Sequence, residues 1–228
     1  MKQGKFIVIE GTDGSGKTEQ FKRLIAWLRG REYRAEAVDF PQYRSPSAFF
    51  VEKYLRGEYG GWRAIGPRVT SLFYALDRFD TAPRIRAALR AGRIVVANRY
   101  VASNMGHQGA KITSPAARRA FMRWEHELEY DMLNIPKPDV NIFLSVPPET
   151  AFRLVAEKGK REYLRGKKRD VHEADIRHLR QAAASYRDAI RLFPRDFRVI
   201  ECAPKGKLLG ISEIHRAVRL IVEEYLRT

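Results

Sequence analysis

Cysteine is almost absent from this chain of 228 residues: Cys202 stands alone. One thiol closes no intrachain disulfide, and a CxxC metal or redox motif is excluded. A reducing compartment fits that usage. Long apolar runs are missing too. The run inside the opening MKQGKFIVIEG is shorter than a signal-peptide core, and nothing reaches the length of a membrane span. The chain is therefore read as soluble and cytoplasmic, with no membrane partner. Internal repeats and low-complexity tracts are also lacking. Acids are scarce, 27 Asp and Glu against 43 Lys and Arg, for a net charge of +16. So positive a field serves either anionic nucleotides or the polyanion backbone of a nucleic acid.

What is there begins with enough apolar material, 44% of residues, to fill one sizeable core. One domain over residues 1–228 is expected. Strand character recurs at Lys5 to Glu10, Arg34 to Phe40, Ile94 to Asn98, Val140 to Val146 and Arg198 to Cys202. Helical patterns lie between them, near 17–30, 47–57, 67–91, 115–131, 148–157, 172–192 and 211–226. Most strands are short, β-branched and continuously apolar, as in a parallel sheet covered on both faces. Alternating strands and helices indicate a doubly wound α/β fold, and Gly57 to Trp62 reads as an exposed loop.

Residues 11 to 18, GTDGSGKT, match the phosphate-binding P-loop pattern and lie between a strand and a helix. A glycine-rich turn there aims backbone N–H groups into one concavity at the positive end of the helix dipole. Gly11, Gly14 and Gly16 supply backbone freedom, Lys17 reaches the outer phosphates, and the Thr18 hydroxyl suits Mg²⁺. Asp13 is electrostatically odd in such a loop. It points either to a metal or to a hydroxyl of a second substrate, or serves only as a turn-former.

Ligands of such sheets bind beyond the carboxyl ends of the strands. That rule puts Arg99, just past the third strand, near the P-loop, as a bidentate phosphate ligand or else in a surface ion pair. On the helix from Arg68 to Thr81, the residues Val69, Leu72, Phe73, Leu76 and Phe79 form an apolar stripe for the core or a subunit contact. Tyr74 and Arg78, four apart, share another face and suit a planar base with carbonyl edges, although a packed tyrosine with a solvated arginine is the simpler reading. Lys158 to Arg169, KGKREYLRGKKR, carries seven basic residues in twelve. Charges this dense repel until an anion arrives, which is lid behaviour; a basic loop that contacts RNA is the alternative.

Taken together, GTDGSGKT, Phe40-Pro41, LFYALDR (Leu72 to Arg78), NRYVASN (from Asn98) and IPKPDVNIFLSVPPE (Ile135 to Glu149) resemble the thymidylate kinase (dTMP kinase) family, in order and over nearly the whole chain. The resemblance implies the three-layer P-loop nucleoside monophosphate kinase fold. That is a central five-stranded parallel sheet flanked by helices, a basic lid at about 158–170, and a homodimer packed through helices. It also implies Mg²⁺-dependent transfer of the ATP γ-phosphoryl group to dTMP, giving dTDP and ADP on the way to dTTP. Gly11, Asp13, Gly14, Ser15, Gly16, Lys17 and Thr18 would hold ATP. Asp13, Phe40, Arg44, Tyr74, Arg78, Arg99, Ser103, Asn104, His107 and Gln108 would hold dTMP, with Tyr74 stacked on thymine and Arg44 and Arg99 on the phosphate. Lys17, Asp13, Arg99, Arg161 and Arg165 would be catalytic, and Thr18, with Asp13 and Asn98 through water, would meet Mg²⁺. Gly14 stands where other members carry an arginine, which Arg161, Arg165 and Arg169 of the lid would replace. Asn98 stands in place of the family's aspartate, and His107 in place of an aromatic residue beside the deoxyribose. Two alternatives remain: a kinase for another (deoxy)nucleotide or deoxynucleoside, and a P-loop protein with catalysis weakened at Asn98 that binds nucleic acid.

Overall fold

The computed structural model describes residues 3–60, 62–163 and 176–227, the side chains of 62, 63 and 158–163 excepted. Its five strands are β1 (Phe6–Gly11), β2 (Ala35–Asp39), β3 (Ile94–Asn98), β4 (Val140–Ser145) and β5 (Phe197–Glu201). All pair in parallel, in the order β2-β3-β1-β4-β5. The helices are α1 (Lys17–Gly30), α2 (Phe49–Leu55), α3 (Trp62–Arg90), α4 (Val101–His107), α5 (Pro115–His126), α6 (Pro148–Tyr163), α7 (Ile176–Leu192) and α8 (Ile211–Arg227).

Side-chain alternation along the central strands makes three layers. Phe6, Val8, Val95, Ala97 and Phe143 face Ile85 of α3, Met105 of α4, Phe121 of α5 and Tyr186 of α7. Ile7, Ile9, Val96, Ile142 and Leu144 face Leu24 and Leu28 of α1 and Val218 and Val222 of α8. Each fully buried aliphatic side chain contributes about 1.5–3 kcal/mol relative to exposure. The three inner strands are therefore apolar on both faces, as the sequence suggested. The outermost strands are not: β2 and β5 are half-exposed, because helices cover less of a sheet's edge. Among the described residues, no helix is long and apolar enough to cross a membrane.

Five features of the helices go beyond the sequence pattern. Gly66 breaks α3 (φ 70°, ψ 170°), and Pro67 restarts it with its preset φ and no N–H to satisfy. Ser114 caps α5 by accepting from the Ala117 N–H. Where one helix was expected over 115–131, the chain widens into a π-helical turn at Glu127–Met132, with the Leu133 N–H reaching the Leu128 carbonyl five residues back. The basic segment starts as helix, since α6 runs on to Tyr163 rather than ending near 157. Finally, α4 had no clear signal: it is seven residues long and holds Ser103, Asn104 and Gly106, all poor helix formers.

α4 packs on α7 at one tight point. A Cβ on Gly106 would lie 2.2 Å from the Tyr186 ring. Gly106→Ala is expected to lower stability by about 1–3 kcal/mol in urea titration, since a packed core resists an added methyl. Gly30→Ala, at the exposed end of α1 with nothing within 4 Å, should instead raise it by about 0.5 kcal/mol.

Candidate active site

Topology converges the candidate residues on one edge. β1 lies between β3 and β4, with Ile9 beside Asn98 and Gly11 beside Leu144, while Asp39 of β2 lies beside Asn98. The P-loop leaves the carboxyl end of β1 and enters α1 through Gly16, whose φ of 81° is left-handed. Gly14 is held more strictly, by a φ of 80° and by the Ala151 carbonyl oxygen 2.3 Å from where its Cβ would stand. Any side chain there would displace α6.

Inside the loop, Lys17 donates to the Thr12 carbonyl and to Asp13 Oδ1, each at 3.2 Å. Burial and then the nearby Arg99 charge push the Lys17 ammonium down to about 8. Asp13 also accepts from Arg99 Nη2. Against the upward push of burial, the charges of Arg99 and Lys17 hold the Asp13 carboxyl well below its usual range. A single carboxylate thus bridges the two cations nearest the loop.

Arg99 takes a left-handed backbone (φ 66°) directly after β3, a conformation that a bulky residue adopts only when its surroundings impose it. Its Nη1 donates to His107 Nε2 at 2.8 Å. His107 therefore accepts at Nε2 and directs Nδ1 toward His178 Nε2, 3.5 Å away on α7. Burial, joined by the Arg99 charge, lowers His107 well below the usual histidine range, so it is neutral. Beneath Arg99 sits Glu10, the last charged residue of β1 and fully buried. It accepts from the Tyr100 N–H (2.8 Å), the Ser103 hydroxyl (2.8 Å) and the Tyr186 hydroxyl (2.9 Å). Burial raises its carboxyl against the lowering effect of Arg99 and these donors.

The other expected residues fall into two groups. Tyr74, Arg78 and Asn104 are buried or half-buried between α3 and α4, and both Arg78 and Arg99 are close enough to Tyr74 to favour its phenolate, although burial raises its pKa more. Phe40 is core, its ring 5.6 Å from that of Tyr100. Ser103 is engaged with Glu10, and buried Gln108 accepts from Lys111. Arg44 is exposed on the loop before α2, with φ 68°. Arg161 lies on α6 with its side chain outside the described residues, and Arg165 and Arg169 lie wholly outside them.

Sequence reasoning passed over Glu10, Asp39, Glu125, Glu129 and His178. Glu10 alone carried a signal, a carboxylate ending an apolar strand directly before the P-loop. Asp39 matters because Asn98 Nδ2 donates to its Oδ1 at 2.8 Å, which returns a carboxylate to the neighbourhood of the replaced aspartate.

The donor set fits a hard divalent cation. Asn98 Oδ1 is a buried oxygen with no hydrogen-bond partner, and the Thr18 hydroxyl is exposed at the start of α1. Among the described residues, no cluster of His, Cys, Asp and Glu could hold a metal without help. Oxygens from a phosphate ligand would have to complete the sphere, as is usual for Mg²⁺.

A family model described as thymidylate kinase matches residues 9–204. The chain is 32% identical over 181 residues to a thymidylate kinase of Mycobacterium tuberculosis, spanning 79% of this chain and 83% of that protein. It is 32% identical over 163 residues to a probable thymidylate kinase of Pyrobaculum aerophilum, spanning 70% and 75%. It is 24% identical over 227 residues, 98% of each chain, to a probable thymidylate kinase of Pyrococcus abyssi.

The charge arrangement around Lys17 is open to measurement. In the ligand-free protein its side-chain NMR shifts should titrate near 8. Asp13→Asn should move that titration lower still, because the carboxylate is what favours the ammonium. An ordinary lysine titration would mean that the pocket is wet.

Proposed function

The chain belongs to the thymidylate kinase family and is a kinase, and from that premise we propose that this site transfers the ATP γ-phosphoryl group to dTMP, giving dTDP and ADP. The carrying observation is the Lys17–Asp13–Arg99 bridge, which ties the P-loop to the end of β3. The ATP triphosphate and the acceptor's monophosphate repel across the few ångströms that in-line transfer needs, so the work of the site is positioning and neutralisation.

Lys17 and the P-loop N–H groups hold the ATP phosphates, and Arg99 holds the dTMP phosphate in a fork of two N–H donors. Arg44 joins Arg99 from the loop before α2. His107 supports Arg99 from behind and stands beside the sugar, and Asp13, freed from Lys17 and Arg99 as phosphates replace it, faces the acceptor's 3′-hydroxyl. No general base is needed, because the acceptor phosphate is already anionic. Thr18, with Asp13, Asn98 and Asp39 through water, would hold Mg²⁺, which would supply further positive charge to the phosphates. Gly14 leaves no room for a P-loop arginine, which supports the lid arginines Arg161, Arg165 and Arg169 as its replacement. One domain over the whole chain would carry these parts.

A homodimer is part of the same proposal. Val69, Leu72, Leu76 and Phe79 stand 37–49% exposed along one side of α3. Phe73 leaves this stripe to stack on Phe50 at 5.5 Å. A row of large apolar side chains in water is what a second copy of the helix would cover.

Acceptors dTMP, dUMP, UMP, CMP and thymidine, each with ATP and Mg²⁺, test the reaction. dTMP should be fastest, and faster use of CMP would reject the assignment. Lys17→Ala should lower kcat by about a hundredfold or more, the loss expected for one transition-state donor. Leu76→Glu should convert a dimer to a monomer in light scattering.

A further inference from the structure

Buried outside the phosphate chemistry lies a group of acids in an otherwise basic molecule. Glu129, on the π-helical turn, meets Arg78 of α3 in a two-bond fork, Nε to Oε2 at 2.5 Å and Nη2 to Oε1 at 2.6 Å. Arg78 is 2% exposed and Glu129 fully buried. The fork occupies one whole edge of the guanidinium. What remains is the second N–H of Nη2 and the two N–H groups of Nη1, and Nη1 meets an acceptor, the Tyr100 carbonyl, only at 3.5 Å, the limit of hydrogen bonding.

Asn104 of α4 is fixed in a matching way. Its Nδ2 donates to the Ser71 carbonyl at 3.2 Å and to Glu125 Oε2 at 3.3 Å. A carbonyl only accepts, so the amide cannot turn over without setting two oxygens against each other. Asn104 Oδ1 accepts from none of the described residues. Burial, and then the Glu129 charge, hold the Glu125 carboxyl well above its usual range. Of the two carboxyl groups, it is Glu129 that meets Arg78 directly.

We propose that Glu129 is a positioning residue that sets pyrimidine specificity, by holding Arg78 so that it offers only its Nη1 side to the base that Asn104 Oδ1 also reads. The proposal rests on the reading of Tyr74, Arg78 and Asn104 as the base site. A donor beside an acceptor matches the O4 carbonyl and N3–H of thymine or uracil. Cytosine presents the reverse, an amino group at C4 and a bare N3, and would put donor against donor and acceptor against acceptor. Without Glu129, the guanidinium could swing and offer any of its five N–H groups. Glu125 of α5 and Glu129 of the π-helical turn, four apart, each meet one of the two readers.

The test is the ratio of kcat/KM for dTMP to that for dCMP, measured with ATP on the full chain. A ratio is insensitive to the folded fraction, so a merely structural role would leave it unchanged. The wild type should prefer dTMP strongly. Glu129→Gln should reduce that preference by about tenfold or more, mostly through KM for dTMP, and Glu129→Asp, which restores the charge, should recover part of it. An unchanged ratio in Glu129→Gln overturns the role of Glu129 while leaving the base site standing. No preference in the wild type overturns the base site itself. Should the variants not fold, ¹⁵N NMR of wild-type Arg78 decides: dTMP should shift the Nη1 protons and spare Nε–H, and a larger shift at Nε–H overturns the proposal.

Discussion

Asp13 holds together a pocket that would otherwise repel itself. Lys17 is buried and Arg99 half-buried beside it, and two cations in a region poor in water raise each other's energy unless a negative charge lies between them. The carboxylate fills that role in the ligand-free protein. On the proposed assignment, an arriving phosphate would exchange one anionic partner for another instead of entering a collapsed or emptied site. The oddity of an acid within a phosphate-binding loop has its physical reason here.

The same logic of compensated burial runs outward. Arg99 adopts a left-handed backbone directly after β3, and Glu10 is tolerated at the end of an apolar strand because three donors converge on it. Arg78 and Glu129 form a second buried ion pair, behind the wall expected to face the base. Such pairs add little net stability compared with apolar packing, but they fix orientation. In this molecule the orienting pairs cluster around the carboxyl edge of the sheet, while the opposite face, against α1 and α8, is almost wholly apolar.

Much of this was legible beforehand. Three-layer alternation follows from apolar runs at strand length separated by helical patterns, and strands β1, β3 and β4 fell close to their expected bounds. The P-loop was plain because its glycines and lysine act through the backbone, locally in sequence. Elements without a local signature were missed. α4 is too short and too rich in weak helix formers to show a period. The π turn shows no local pattern either, and its Glu129 pairs with a residue 51 positions away.

Side-chain partnerships divided in the same way. The chain's own order determined that a strand, a phosphate-binding turn and a helix follow one another, that one charge sign dominates, and that family motifs recur in register. Only the folded arrangement decided that Ser103 turns to Glu10, that Phe73 leaves the apolar stripe for Phe50, that Asp39 accompanies Asn98, and that Glu129 grips Arg78. The physical reason is range. Backbone geometry and periodicity are set by neighbours within a few residues, whereas a buried charge needs a partner that only the packing of distant segments can bring to it.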